Sequence, residues 1–151
     1  MKNALNSYTN LGKEFYGELC SILMFDIAIN NEDEHFGNFG LLRNNDTGKI
    51  IEPAPIIDNS LSLINFAMME DLGNLNQFKK AEIPHYGISF FEMYKAVMGS
   101  KQNFPLRKLS NCTFTRHPSI ILPEERLISI EKHIGLRARE LISIPNDKNS
   151  Q

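Results

Sequence analysis

The segment Ser21–Asn30, SILMFDIAIN, is the most apolar stretch in the chain, and it continues a helical pattern that begins further back. Leu11, Phe15, Leu19, Ile22, Leu23 and Phe25 recur at the spacing of one helix face. Met24, Ile27, Ala28 and Ile29 then widen that stripe until almost no polar face is left. A helix of this kind must be covered on several sides, so the fold has to be assembled around it. The spacing predicts a helix from Leu11 to Ile29, capped by Thr9 or Asn10. The polar run Asn30-Asn31-Glu32-Asp33-Glu34 ends it abruptly.

Downstream, residues 38–43 (NFGLLR) read as a short strand. The turn-rich NNDTG follows, and residues 49–57 (KIIEPAPII) return as a second strand. Pro53 and Pro55 confine that strand to an edge or divide it. Segment 66–88 mixes Gly, Asn, Pro and charge, with a short helix expected near Gln77–Ala81. Phe90–Met98 reads as a helix, and residues 99–122 as a surface loop. Pro123 opens a last helix at its tolerated first position, with Glu124 and Glu125 at the positive end of the dipole. Its buried stripe is Leu127, Ile130, Ile134, Ala138 and Leu141, and Pro145 stops it. The final NDKNSQ is expected to fray. The expected class is α+β: mainly helical, with one small hairpin.

A chain of 151 residues can hide about 70% of its unfolded surface, enough for one domain. No internal repeat is visible, and residues 1–151 are expected to form one unit. With 16 basic against 18 acidic residues, the net charge of -2 speaks against a dedicated nucleic-acid binder. No dense basic block suits an anionic membrane, and the apolar run is too short to span one. Cys20 and Cys112 form no C-x-x-C pair and read as buried, reduced residues. The polar start, MKNALNSYTN, does not resemble a signal peptide, so a cytoplasmic location is expected.

Four polar residues crowd the junction between the apolar helix and the hairpin: Asp33, His35, Asn38 and Asp58. Phosphoryl transfer needs such a set. One carboxylate orients or deprotonates the attacking hydroxyl, and a carboxylate with an amide oxygen holds magnesium against nucleotide phosphates. On that reading Asp33 is the base, and Asn38 and Asp58 are the metal ligands. The bland alternative stands beside it, because an N-E-D-E run after a helix also suits a solvated turn. A third option is a hydrolytic metal held by Asp33, His35 and Asp58. Elsewhere His85, His117 and His133 show no zinc spacing. Met68-Met69 and Phe90-Phe91 read as core, and Arg107-Lys108 and Lys79-Lys80 as solvated faces. Ser60, Ser62 and Thr113 lack the motif of an activated nucleophile.

The string FDIAINNEDEHFGNFGLL, followed by APIIDNSLSL, resembles the core of the HipA-like kinases, the toxin kinases of bacterial toxin–antitoxin modules. In that family an apolar helix leads into N-x-D-x-H-x-x-N-x-G, and a strand ends in P-x-x-D-[NS]-G-x-S-L. Asp33, His35, Asn38 and Gly40 match the first motif. Pro55, Asp58, Asn59, Ser62 and Leu63 match the second, so the likeness covers residues 22–64. Phosphoinositide kinases use a similar D-x-H-x-x-N loop.

The resemblance implies a kinase-like C-lobe that transfers the γ-phosphate of ATP, with Mg2+, to a serine or threonine of a protein substrate. Asp33 takes the catalytic-loop role, Asn38 and Asp58 take the metal and nucleotide-facing roles, and His35 steadies the loop. Two positions depart from the pattern. Glu34 stands where Arg is common, placing a like charge beside the base, and Ser60 stands where Gly is usual. The glycine-rich loop and strand lysine of a nucleotide lobe are not found, so the chain reads as one half of a split enzyme, a truncated reading frame or a relic kept for binding, with a nucleotide lobe supplied elsewhere if it is catalytic. A non-catalytic binding module for an antitoxin-like (HipB-like) partner is the alternative expectation.

Overall fold

Helix α1 (Gly12–Ile29) lies at the centre of the molecule, and the other helices pack around it. The computed structural model describes residues 12–33, 35, 38–75, 87–119 and 122–145. After α1 come β1 (Leu41–Arg43), β2 (Ile50–Pro53), a 3-10 helix (Met69–Gly73), α2 (Phe90–Val97), α3 (Ser100–Leu109) and α4 (Glu124–Ser143). Among the described residues the architecture is therefore α+β, four helices with a two-stranded antiparallel sheet. None of these helices is long and apolar enough to cross a membrane.

The widened stripe of α1 is buried as its composition demands. Leu19, Cys20, Leu23, Met24, Ile27 and Ala28 pack against Phe90, Met93, Tyr94 and Val97 of α2, Leu106 of α3, and Ala138 and Leu141 of α4. Ile27 and Ala28 are fully enclosed. Truncating a side chain such as Ile27 to Ala costs about 2–5 kcal/mol, the transfer term plus the cavity left behind. Gln102, itself buried, ties α3 to α1 by donating to Ser21 Oγ at 3.2 Å. Gly135 allows α4 its close approach to α3, since a Cβ there would sit 3.1 Å from the Ser110 carbonyl.

Helix α2 begins with a reciprocal cap, in which Ser89 Oγ accepts from the Glu92 amide and Glu92 Oε2 accepts from the Ser89 amide. The expected C-terminal end of α1 and the expected extents of α2 and α4 hold to within a residue, with Pro123 just outside α4 rather than at its first turn. Thr9, Asn10 and Leu11, the expected start of α1, lie outside the described residues. Three expectations need correction. The region 99–122 is not all loop, because residues 100–109 form α3 despite Pro105 within it. Pro105 withholds an N–H from the Lys101 carbonyl, but Gln102, Leu106 and Leu109 form an inward stripe that holds the helix. Both strands are shorter than expected, and β2 stops at Pro53.

The third correction concerns burial. Met68, Met69 and Phe91 are exposed rather than core, Cys112 is half-buried, and so are Leu127 and Ile130 of the expected α4 stripe. The helix expected near Gln77–Ala81, Lys79-Lys80, His85 and the frayed terminus lie outside the described residues.

The hairpin places the second motif. Leu41 faces Pro53, Leu42 faces Glu52, and a bulge between Leu42 and Arg43 sets Arg43 against Ile50. Its turn is closed by Asn44, whose Oδ1 accepts from the Asp46 and Thr47 amides and from the Thr47 hydroxyl. Gly48 supplies the left-handed step, φ +68°. Ala54 donates to the Gly40 carbonyl at 2.9 Å, so the returning chain runs back toward the end of α1.

Candidate active site

A helix leaves its last four carbonyls without internal donors, and the two motif segments supply donors to the end of α1. Asn30 follows Ile29 in the left-handed region, φ +54°. Asn tolerates that conformation better than most residues. The reversal lets the Asn31 amide donate back to the Asp26 carbonyl at 2.9 Å, the closure of a helix that ends on a left-handed residue. The same geometry superposes the two side chains, and Asn31 Nδ2 donates to Asp26 Oδ1 at 3.2 Å. In most such endings that side-chain contact is apolar. Here it joins a carboxylate to a carboxamide, both at 0% exposure.

From Asn31 the chain passes the half-buried Asp33 and His35 to the buried Asn38. Asn38 closes the loop on itself. Its amide donates to the His35 carbonyl at 2.9 Å, and its Nδ2 donates to the Asp33 carbonyl at 3.4 Å. His35 thus contributes a backbone acceptor to the loop. Glu34 and Gly37 lie outside the described residues.

The second segment is fastened to the same helix end. Asp58 is exposed, takes φ +58°, and accepts the Ser60 hydroxyl on Oδ1 at 3.1 Å. Asn59 Nδ2 donates to Asp26 Oδ1 at 3.4 Å. Ser62 Oγ donates to the Asn59 carbonyl, and the Leu63 amide reaches the Ile29 carbonyl at 2.5 Å. The left-handed residues of this segment are Asp58 and Leu63, not Ser60. The serine in the family's glycine position therefore carries no positive-φ strain. Beyond Leu63, Arg126 of α4 grips the chain by donating to the carbonyls of Ile64, Asn65 and Ala67.

Asp33, Asn38 and Asp58 therefore belong to two loops anchored on one helix terminus. As metal donors, Asn38 and Asp58 offer one carboxamide oxygen and one carboxylate, hard oxygens of the kind magnesium takes. The bond from Asn38 Nδ2 to the Asp33 carbonyl orients its carboxamide, so that Oδ1 is the atom a metal would take. The hydrolytic alternative gains nothing, because among the described residues no three His, Cys, Asp or Glu side chains group to hold a metal. Gly40 is not part of a phosphate cradle, since a Cβ there would lie 3.0 Å from the Ala54 Cβ. It is a packing glycine of the hairpin.

Among the described residues, two open grooves lie elsewhere. One of about 500 Å³ runs between α1 and β2, lined by Glu18, Ile22 and residues 52–56. The other, about 510 Å³, lies between α4 and the loop carrying Phe114 and Arg116. Neither is lined by Asp33, His35, Asn38 or Asp58.

Motif reading singled out the residues that would do chemistry and missed those that hold them. Asp26, Asn31, Arg126 and Arg137 belong to no chemical motif in the sequence. The signal for Asp26 was present, an acid within an apolar run, which is a position that charge occupies only with partners. Set against protein-family models, curated proteins and solved structures, the chain matches none.

Proposed function

We propose that this chain is the carboxy-terminal catalytic lobe of a HipA-like serine/threonine protein kinase. The observation that carries the reading is the common anchorage of the two motif segments. Asn31, two residues before Asp33, and Asn59, the neighbour of Asp58, both bond to Asp26. In this reading Asp33 orients the attacking hydroxyl of a protein serine or threonine and accepts its proton. Asn38 Oδ1 and the Asp58 carboxylate would hold magnesium, which would supply charge neutralisation for phosphoryl transfer. His35 shapes the loop between base and ligand. The phosphate-gripping lysine and loop come from a nucleotide lobe that works with this one, and ATP binds between the two.

The test is phosphorylation of a protein acceptor by the chain together with its nucleotide lobe, in ATP and magnesium. Transfer should occur and should fall by orders of magnitude in Asp33→Ala. Unchanged transfer in that variant rejects the assignment.

A second reading, a lobe that binds an antitoxin-like protein without turnover, draws on the apolar side chains around the second motif. Ile57, Phe66 and Met68 are 53%, 72% and 65% exposed, an unusual concentration of bare apolar surface along one segment. Thermal shift separates the two readings. A shift with ATP and magnesium that requires the nucleotide lobe favours the kinase. A shift with the protein partner alone favours the binding module.

A further inference from the structure

We infer that Asp26 is a positioning residue that couples the Asp33–Asn38 loop to the Asp58–Leu63 turn, so that both segments keep one spacing. The inference rests on the kinase reading for its consequence, though not for its geometry. A single oxygen, Asp26 Oδ1, accepts from Asn31 Nδ2 at 3.2 Å and from Asn59 Nδ2 at 3.4 Å. The first donor lies on the loop that carries Asp33 and the second adjoins Asp58.

The apolar neighbours of Asp26 do not call for an acid at this position. Position 26 lies among Leu23, Met24, Ile27 and Ala28 on a helix buried nearly all round, and an aliphatic residue would complete that stripe. Burying a carboxylate is unfavourable unless donors meet it, and these two donors both come from the motif segments. The backbone bonds to α1 cannot replace it. They fix Asn31 through the Asp26 carbonyl and Leu63 through the Ile29 carbonyl. Asn59, the residue next to Asp58, reaches α1 through the Asp26 side chain. Loss of that carboxylate link frees Asp58 to move relative to Asn38 while the helix end stays closed.

The geometry makes a charge swap decisive. In Asn59→Asp, two carboxylates face each other and the link breaks by like-charge repulsion. Adding Asp26→Asn removes the repulsion and restores a link, since the new carboxamide, once its plane turns from the pose in which one oxygen served both donors, gives its NH2 to the new carboxylate. The full chain is followed by amide hydrogen exchange, and by the electron paramagnetic resonance signal of free Mn2+ titrated as the metal alone. Asn59→Asp should speed exchange in both 31–33 and 58–63 and leave α2 and α4 unchanged. It should weaken Mn2+ binding about tenfold, the lower end of what losing a ligand-orienting partner costs. The double variant should recover both readouts.

Asn59→Ala, which introduces no repulsion, should loosen the same two segments. Loosening confined to 58–63, or no recovery in the double variant, overturns the inference. If the unmutated chain ignores Mn2+, the metal assignment of Asn38 and Asp58 fails. The exchange coupling is measured without metal and passes or fails separately.

Discussion

The amide of Leu63 donates to the carbonyl of Ile29 at 2.5 Å, which closes the last turn of α1 with a residue from beyond the hairpin. Leu63 holds φ +62° to make that bond, a conformation that a bulky residue adopts only when its surroundings impose it. The end of the central helix and the second motif are therefore one structural unit. Disturbance at either should be felt at the other.

Arg137 of α4 completes that unit, donating Nε to the Ile27 carbonyl at 3.2 Å and lying over the Phe90 ring. Its charge also sits at the negative end of the α1 dipole. Arg137→Met keeps most of the aliphatic packing and removes the donor and the charge. The expected loss is about 1–2 kcal/mol, with a fall in melting temperature of roughly 2–4 °C per kcal/mol for a chain of this size. Urea unfolding of the two proteins checks it. Equal midpoints would mean that this carbonyl is satisfied without Arg137.

Asp58→Asn separates charge from conformation. Asn accepts the left-handed region at least as readily as Asp, and Asp58 is exposed. Stability should therefore stay within about 0.5 kcal/mol, as for most surface changes. The negative charge offered to a divalent cation is lost, so Mn2+ affinity and phosphoryl transfer should both collapse. A melting curve and a Mn2+ titration on the same sample decide it. Retained affinity would remove Asp58 from the metal site.

Arg126 holds the chain after the second motif through three carbonyls, those of Ile64, Asn65 and Ala67. A guanidinium fork reaches all three from one position, whereas an ammonium is a point donor on a flexible stem. Arg126→Lys should cost about 1 kcal/mol or more and raise hydrogen exchange across residues 64–67. Unaltered exchange there would show that packing alone holds the segment.

These relationships show what the sequence could and could not disclose. Helices α1 and α4 were legible because their apolar residues keep helical spacing over many turns and polar or proline residues mark their ends. The hairpin turn was legible in Asn44 and Gly48, whose chemistry the turn uses directly. Helix α3 was not, because Gly99 and Pro105 look like breakers, and only the burial of Gln102 and Leu106 against α1 outweighs them. In the candidate site, Asp33, Asn38 and Asp58 stood out as local motifs. Their anchor did not, since Asp26 meets Asn59 only after the hairpin has folded back. Local pattern cannot encode that contact.

Acid should act first on the loop before α4. Arg116 bonds to Glu124 and Glu131 there, and the Phe114 amide donates to Glu131 Oε1 at 2.7 Å. Chiefly through Arg116, and next through the Phe114 amide, the Glu131 carboxyl is held below its ordinary value of 4.5. The Ser89 amide and then its hydroxyl hold the Glu92 carboxyl down in the same way at the start of α2. A carboxyl whose folded pKa is depressed binds fewer protons folded than unfolded. Its contribution is thus complete above the ordinary value and disappears as pH falls through the lower, folded one. The part of stability that these two groups contribute should be flat from about pH 7 down to about pH 5 and decline below that as they protonate. Exchange at residues 112–119 should rise on the same limb. Glu131→Gln keeps the shape of the side chain and has no proton to gain, so its melting temperature should depend less on pH over that acid range. Parallel curves for the two proteins would exclude Glu131 from the acid response.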